Sequence, residues 1–294
     1  MTEPADLITI KSPKLTARIN PFGAELTSLT DRQGKELMTD ADPAFWTGHA
    51  PILFPIVGAL AGDTLRVDGK SYKMDKHGFA RRSDFEVVDV QAHHAVFRLT
   101  DSDKTRKSYP FAFALELTYA LEGATLTVTA KIVNRGDAPM PASFGFHPAF
   151  AWPLPYGEPR EAHRILFGKQ EPGALKRIAK DGTIASDSRE SPLDGRSLRL
   201  RDDLFSDDAL VWDPVASSTV TYGAFGGPTL DIAFPDTPSL GIWTKPGAAY
   251  VCIEPWHGTA DPSGYAGEFR DKPGVFEIAA GADKAITMRV TLNP

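Results

Sequence analysis

Two histidines and one glutamate stand where a freely solvated polar residue would not. His147 lies in SFGFHPAF (143–150), a run of small and aromatic residues in which the imidazole directly precedes Pro148. Glu254 follows Val251, Cys252 and Ile253 in YVCIEPWHG (250–258), and His77 stands before Gly78 in DKHGFARRSDFEV (75–87). A carboxylate inside an apolar strand is costly unless it is paired or hydrogen-bonded, and an isolated one stays neutral with a raised pKa. One carboxylate and two imidazoles suffice for general acid–base chemistry without a cofactor. Taken singly, each residue also admits a bland reading: a surface turn for His77, a hydrogen-bonded core imidazole for His147, and a structural ion pair for Glu254.

The neighbours sharpen the choice. Gly78 permits a turn closed to other residues, and His77 and Arg81 near that turn can both point into a cleft. Alternation from Phe144 puts Gly145 and His147 on one face, so room for a ligand is expected beside the glycine. Pro148 removes a backbone donor and ends or bends its strand, leaving the imidazole near a strand end. Trp256 shares the face of Glu254 and can stack on the apolar face of a sugar ring. The chain has no GxSxG elbow, phosphate loop, HExxH helix or GxGxxG after a strand. The aspartate doublets at 202–203 and 207–208 lie in a polar stretch and read as solvated turns, which disfavours a two-carboxylate glycosidase.

Short alternating segments must position these groups. LTARI (15–19), FEVVDV (85–90), HAVFRLT (94–100), FALELTYAL (113–121), TLTVTAKIVN (125–134), LDIAFP (230–235), YVCIEPW (250–256) and KAITMRVTL (284–292) all read as half-buried strands. In the fifth, Leu126, Val128, Ala130 and Ile132 face one way and Thr127, Thr129 and Lys131 the other. A turn or two of helix is expected at most, near DPAFW (42–46). The Pro/Gly-rich stretch from Pro153 to Asp203 reads as a long excursion with short strands at HRILF and RSLRLR. The expectation is an all-β chain, 1–294, forming a single domain that is a large β-sandwich or barrel.

The 294 residues carry a formal net charge of −6, which argues against nucleic acid or an anionic membrane as partner. The KTRK cluster (104–107) reads as a solvated turn. With a single cysteine, Cys252, no disulfide forms within the chain and no thiolate metal site is expected. No leader is read in MTEPADLITIKSP and no run reaches the ~20 apolar residues of a membrane helix, so a soluble cytoplasmic protein without metal or cofactor is expected.

In order, PILFPIVGAL (51–60), HGFAR (77–81), SFGFHPAF (143–150), DDALVW (207–212), LGIW (240–243) and CIEPWHG (252–258) resemble the aldose 1-epimerase (galactose mutarotase) family, in its LacX-like branch. The resemblance spans about residue 15 to residue 290. It implies one large antiparallel β-sandwich that binds a monosaccharide in an open cleft; a monomer or homodimer is expected. It also implies Glu254 as general base at the anomeric hydroxyl and His147 as general acid at the ring oxygen. His77 would help to hold that oxygen, Arg81 and Asp208 (or Asp207, since the doublet can slide) would bind hydroxyls, and Trp243 and Trp256 would line the cleft. Ala59 stands where the family commonly carries an arginine that binds hydroxyls, which leaves the preferred sugar open; Arg66, Arg81 and Arg82 are candidates to compensate. A hexose-6-phosphate epimerase ranks lower, because adjacent residues Arg81 and Arg82 of a strand would point opposite ways. A catalytically idle sugar-binding protein is the other alternative.

Overall fold

The alternating segments are strands. Thr125–Asn134 buries Leu126, Val128, Ala130 and Ile132, and it pairs antiparallel with Phe113–Glu122 on one side and Asp283–Asn293 on the other. Structure is described, from a computed structural model, for residues 7–294; residues 1–6, part of the stretch read for a leader, lie outside the description. The three long strands form the middle of a nine-stranded sheet that runs from Ser197–Arg199 at one edge to Glu86–Val90 at the other. A second, eight-stranded sheet holds Phe144–Phe146, Ala149–Ala151, Leu210–Trp212, Ser239–Trp243 and Tyr250–His257 among its strands. One continuous core takes Leu117, Val128 and Ile132 from the first sheet and Phe144, Phe146, Val251 and Ile253 from the second. The chain is thus an antiparallel β-sandwich, which decides between the sandwich and the barrel that its pattern allows.

Since Val251 and Ile253 enter that core, the pleat sends Cys252, Glu254 and Trp256 to the opposite face of the second sheet. Phe144 and Phe146 enter it likewise and leave Gly145 and His147 on that same far face. The chemistry therefore sits on the outer side of the eight-stranded sheet, roofed by loops.

The excursion contains both expected strands, as His163–Phe167 and Ser197–Arg199 at the edge of the nine-stranded sheet. It also holds a hairpin, Leu175–Ile178 with Ile184–Arg189, that extends the eight-stranded sheet and that the pattern did not reveal. The helical signal at 42–46 is one turn, with the N–H groups of Phe45 and Trp46 both donating to the carbonyl of Asp42. The KTRK cluster lies on a one-turn helix, Asp103–Arg106, closed by a reciprocal Ser102/Thr105 capping box. Among the described residues, no helix is long and apolar enough to cross a membrane.

A buried ion pair ties the roof together. Lys272 Nζ lies 3.3 Å from Asp261 Oδ1, with side chains 1% and 3% exposed, and donates to the carbonyl of Thr259 at 2.9 Å. Asp261 Oδ2 accepts from the Ala61 N–H at 2.9 Å. The backbone N–H of Asp261 donates to Ala59, and its carbonyl accepts from Ile184 at the hairpin. One residue thus fastens three loops. Lys272→Met would strand the Asp261 carboxylate and is expected to lower stability by about 3–5 kcal/mol in denaturant unfolding; a loss below about 1 kcal/mol would contradict this role.

Candidate active site

Register places the acid–base pair. Phe144–Phe146 and Ala149–Ala151 both pair with Tyr250–His257, Gly145 opposite Trp256 and Ala149 opposite Cys252. Between them the ladder is interrupted at His147 and Pro148. Proline has no N–H to contribute, while its carbonyl accepts from the Ile253 N–H at 3.2 Å. In this gap His147 meets Glu254, Nε2 to Oε2 at 3.1 Å, with side chains 10% and 2% exposed.

His77 arrives from a separate loop that is fixed by backbone contacts. Both His77 (φ 67°) and Gly78 (φ 72°) are left-handed, and a Cβ on residue 78 would collide with the Phe54 carbonyl oxygen. The N–H of His77 donates to the Gly58 carbonyl at 2.8 Å, and the Gly58 N–H donates to His77 Nδ1 at 3.1 Å. A backbone N–H can only donate, so Nδ1 is the acceptor and Nε2 carries the proton of the neutral ring. The His77 and His147 rings stand edge to face, 5.9 Å apart.

Arg81 and Arg82 do not belong to a strand: Ala80–Arg82 is a 3₁₀ turn. Arg81 Nη2 donates to the Lys76 carbonyl at 2.8 Å and faces the site. Arg82 lies 3.6 Å from Asp75 and faces a different hollow, while Arg66 lines a third, so neither fills the place left by Ala59. The hairpin crowds that place instead, since a Cβ on Gly182 would lie 3.1 Å from the Ala59 Cβ.

These groups share one cavity of about 240 Å³, lined by His77, Arg81, His147, Asp208, Trp243, Glu254 and Trp256. Asp208, not Asp207, faces it; its backbone is left-handed (φ 74°), and its Oδ1 accepts from the Ala209 N–H at 2.8 Å. The room expected beside Gly145 is taken by protein: a Cβ there would lie 2.7 Å from Trp256 Cδ1, and one on Gly241 would run into the six-membered ring of the same indole. The two glycines form a seat that lets Trp256 lie along the sheet beneath the cavity.

Sequence reasoning missed several lining residues. Trp46, seen only as part of a turn, has its ring 5.0 Å from the His147 ring and 5.7 Å from that of Trp243, edge to face with the latter. Its one legible sign is Gly48, which leaves space for the indole. Lys76 lines the cavity as a neighbour of His77, and Ile178 and Ile184 reach it from the hairpin. The register also gathers residues that the single-cysteine reading did not connect: ligand atoms of Cys252, His147 and Glu254, all buried, lie within 4.8 Å of one another.

The sequence profile of the aldose 1-epimerase family matches residues 6–270. The chain belongs to that family. It is 31% identical over 281 residues to the chromosomal LacX protein of Lactococcus lactis subsp. lactis, covering 92% of this chain and 94% of that one. A galactose mutarotase related enzyme of Lactobacillus acidophilus has a solved structure that superimposes with a TM-score of 0.91 at 32% identity, over 98% of this chain and 97% of that one. A galactose mutarotase-like protein of Lactobacillus casei gives 0.90 at 30% identity, over 98% and 100%.

In this epimerase-family site, dryness dominates the electrostatics. Burial lowers His147 to about 3, and the positive charges of Arg81 and Lys76 act in the same direction. Burial likewise pushes His77 well down, helped by His147 and Lys76. Burial pushes Glu254 well up, opposed by the charge of Lys76. Both shifts favour the neutral form of each partner across the 3.1 Å contact. Gly241→Ala, which forces the Trp256 indole off its seat, is expected to cost about 1–3 kcal/mol of stability and to change tryptophan fluorescence. An unchanged spectrum and unfolding midpoint would show that the seat is dispensable.

Proposed function

We propose that the protein is an aldose 1-epimerase, interconverting the α and β anomers of a hexose or related monosaccharide, with Glu254 as base and His147 as acid. The observation that carries this reading is the buried 3.1 Å contact between the two side chains at a cavity of sugar size. Ring opening needs a proton removed from the anomeric oxygen and one delivered to the ring oxygen beside it. Glu254 takes the first as the C1–O5 bond breaks. The bond's electron pair goes to O5, which takes a proton from His147. Rotation about C1–C2 presents the other face of the aldehyde, and the reverse transfers close the ring. No electron or group enters or leaves, so the cycle needs no cofactor.

The pair must begin with its proton on His147. Hydroxyls of a bound sugar that donate to Glu254 favour that arrangement over the neutral one. His77 Nε2–H is available to the ring oxygen, Arg81 and Asp208 to hydroxyls, and Trp243 and Trp256 to the apolar ring face. A second reading, a hexose-6-phosphate 1-epimerase, is favoured by one feature: Lys76 joins Arg81 at the cavity and supplies the second cation that Arg82 does not.

The test is mutarotation of freshly dissolved α-D-glucose and α-D-galactose, followed by polarimetry or proton NMR, with pentoses and hexose 6-phosphates in the panel. At least one sugar is expected to reach equilibrium faster, and Glu254→Gln to lose about 10²–10⁴-fold in rate while still binding it. Binding without acceleration of any sugar would make the protein an idle sugar binder.

A further inference from the structure

We propose that His147, Cys252 and Glu254 form an inhibitory binding site for a thiophilic divalent cation of the Zn²⁺ class. The side chains are brought together by the register already described. Cys252 and Glu254 are two residues apart on one face of the Tyr250–His257 strand, and the strand paired with it brings His147 against that face. Their ligand atoms lie within 4.8 Å of one another, and His147 Nε2 and Glu254 Oε2 are already 3.1 Å apart. Two ligands on a tetrahedral zinc, with bonds of about 2.0–2.3 Å, stand about 3.3–3.6 Å apart. The site therefore closes when the thiol moves by on the order of 1 Å.

The donor set selects the metal. A thiolate with an imidazole suits zinc, cobalt or cadmium, whereas magnesium and calcium require oxygen ligands. One thiolate and one carboxylate neutralise a divalent charge, so the loaded site carries no net charge into a dry environment, where an unbalanced charge is penalised. Burial keeps the imidazole neutral, which is its ligand form. Burial also holds the free thiol protonated, but direct coordination deprotonates a thiol outright.

Loading is a proton exchange. Cys252 releases its thiol proton, and the His147–Glu254 pair releases the proton it holds in common. Two protons leave as one cation binds, so binding tightens as pH rises. Among the described residues three protein ligands are present, which leaves the fourth position to water from the cavity. The cation removes both proton-handling groups from use, whichever sugar the cavity takes. Cys252 does not line the cavity and takes no part in proton transfer.

The test uses chelator-treated full-length protein with Co²⁺ and Zn²⁺ as probes. Equilibrium dialysis is expected to show one equivalent of Zn²⁺, and Co²⁺ to give a thiolate-to-metal charge-transfer band that Zn²⁺ displaces and Mg²⁺ does not. As Cys252 is the sole cysteine, the band can come from no other residue. Cys252→Ala is expected to abolish the band and weaken Zn²⁺ binding at least tenfold, with sugar binding unchanged. Absence of the band in the wild-type protein, or Zn²⁺ bound equally well by Cys252→Ala, would overturn the proposal. Neither readout needs turnover, so the result is separate from the outcome of the epimerase assay.

Discussion

Everything at this site depends on placing an imidazole and a carboxylate in contact, out of water, on the outer face of a sheet. Two short strands share one long partner, and the break between them falls at His147 and Pro148. The break frees the imidazole from a regular ladder position without moving it from the face of Glu254. In water the two groups would titrate independently near their ordinary values. In this pocket burial drives each towards its neutral form. The proposed ring opening uses such an acid–base pair in both directions.

The surrounding structure maintains that contact. Trp46 and Trp243 pack against His147, and Gly145 and Gly241 give up their side chains so that Trp256 can lie flat beside Glu254. His77 is held in a left-handed conformation through reciprocal bonds with Gly58, which fixes its ring and its tautomer. Farther out, the Lys272–Asp261 pair secures the loops that carry Ala59, Ala260 and Ile184. A buried ion pair is weak evidence for stability in itself. Its place here is explained by what it aligns: three loops beside the cavity.

The long strands of the nine-stranded sheet are legible in the sequence because their two faces meet different surroundings. Thr125–Asn134 alternates apolar and polar residues since one side is core and the other is wet. Leu210–Trp212 and Ser239–Trp243 are buried on both faces and are short, so alternation has nothing to report. The same physics divides the site. Glu254 and His147 stand out because a charge or an imidazole among apolar neighbours is anomalous. Lys76, Trp46, Ile178 and Ile184 carry no such anomaly, and only the path of the chain brings them to the cavity. Gly145 was legible as a small residue but not in purpose, because the indole that fills its space is more than 100 positions away. Arg81 and Arg82 read as alternating partners until the 3₁₀ turn showed that different bonds direct them.

The central claim is that a buried pair sharing one proton, rather than a free histidine, does the work. The most direct measurement is the pH dependence of kcat/KM for mutarotation of an accepted sugar, taken through the ordinary imidazole range. Burial lowers His147 to about 3, so its own titration lies below the ordinary imidazole range. The account predicts that kcat/KM stays level as pH crosses 6.5. A single titration centred near 6.5, with activity falling above it, would contradict it by showing a solvated imidazole acting on its own.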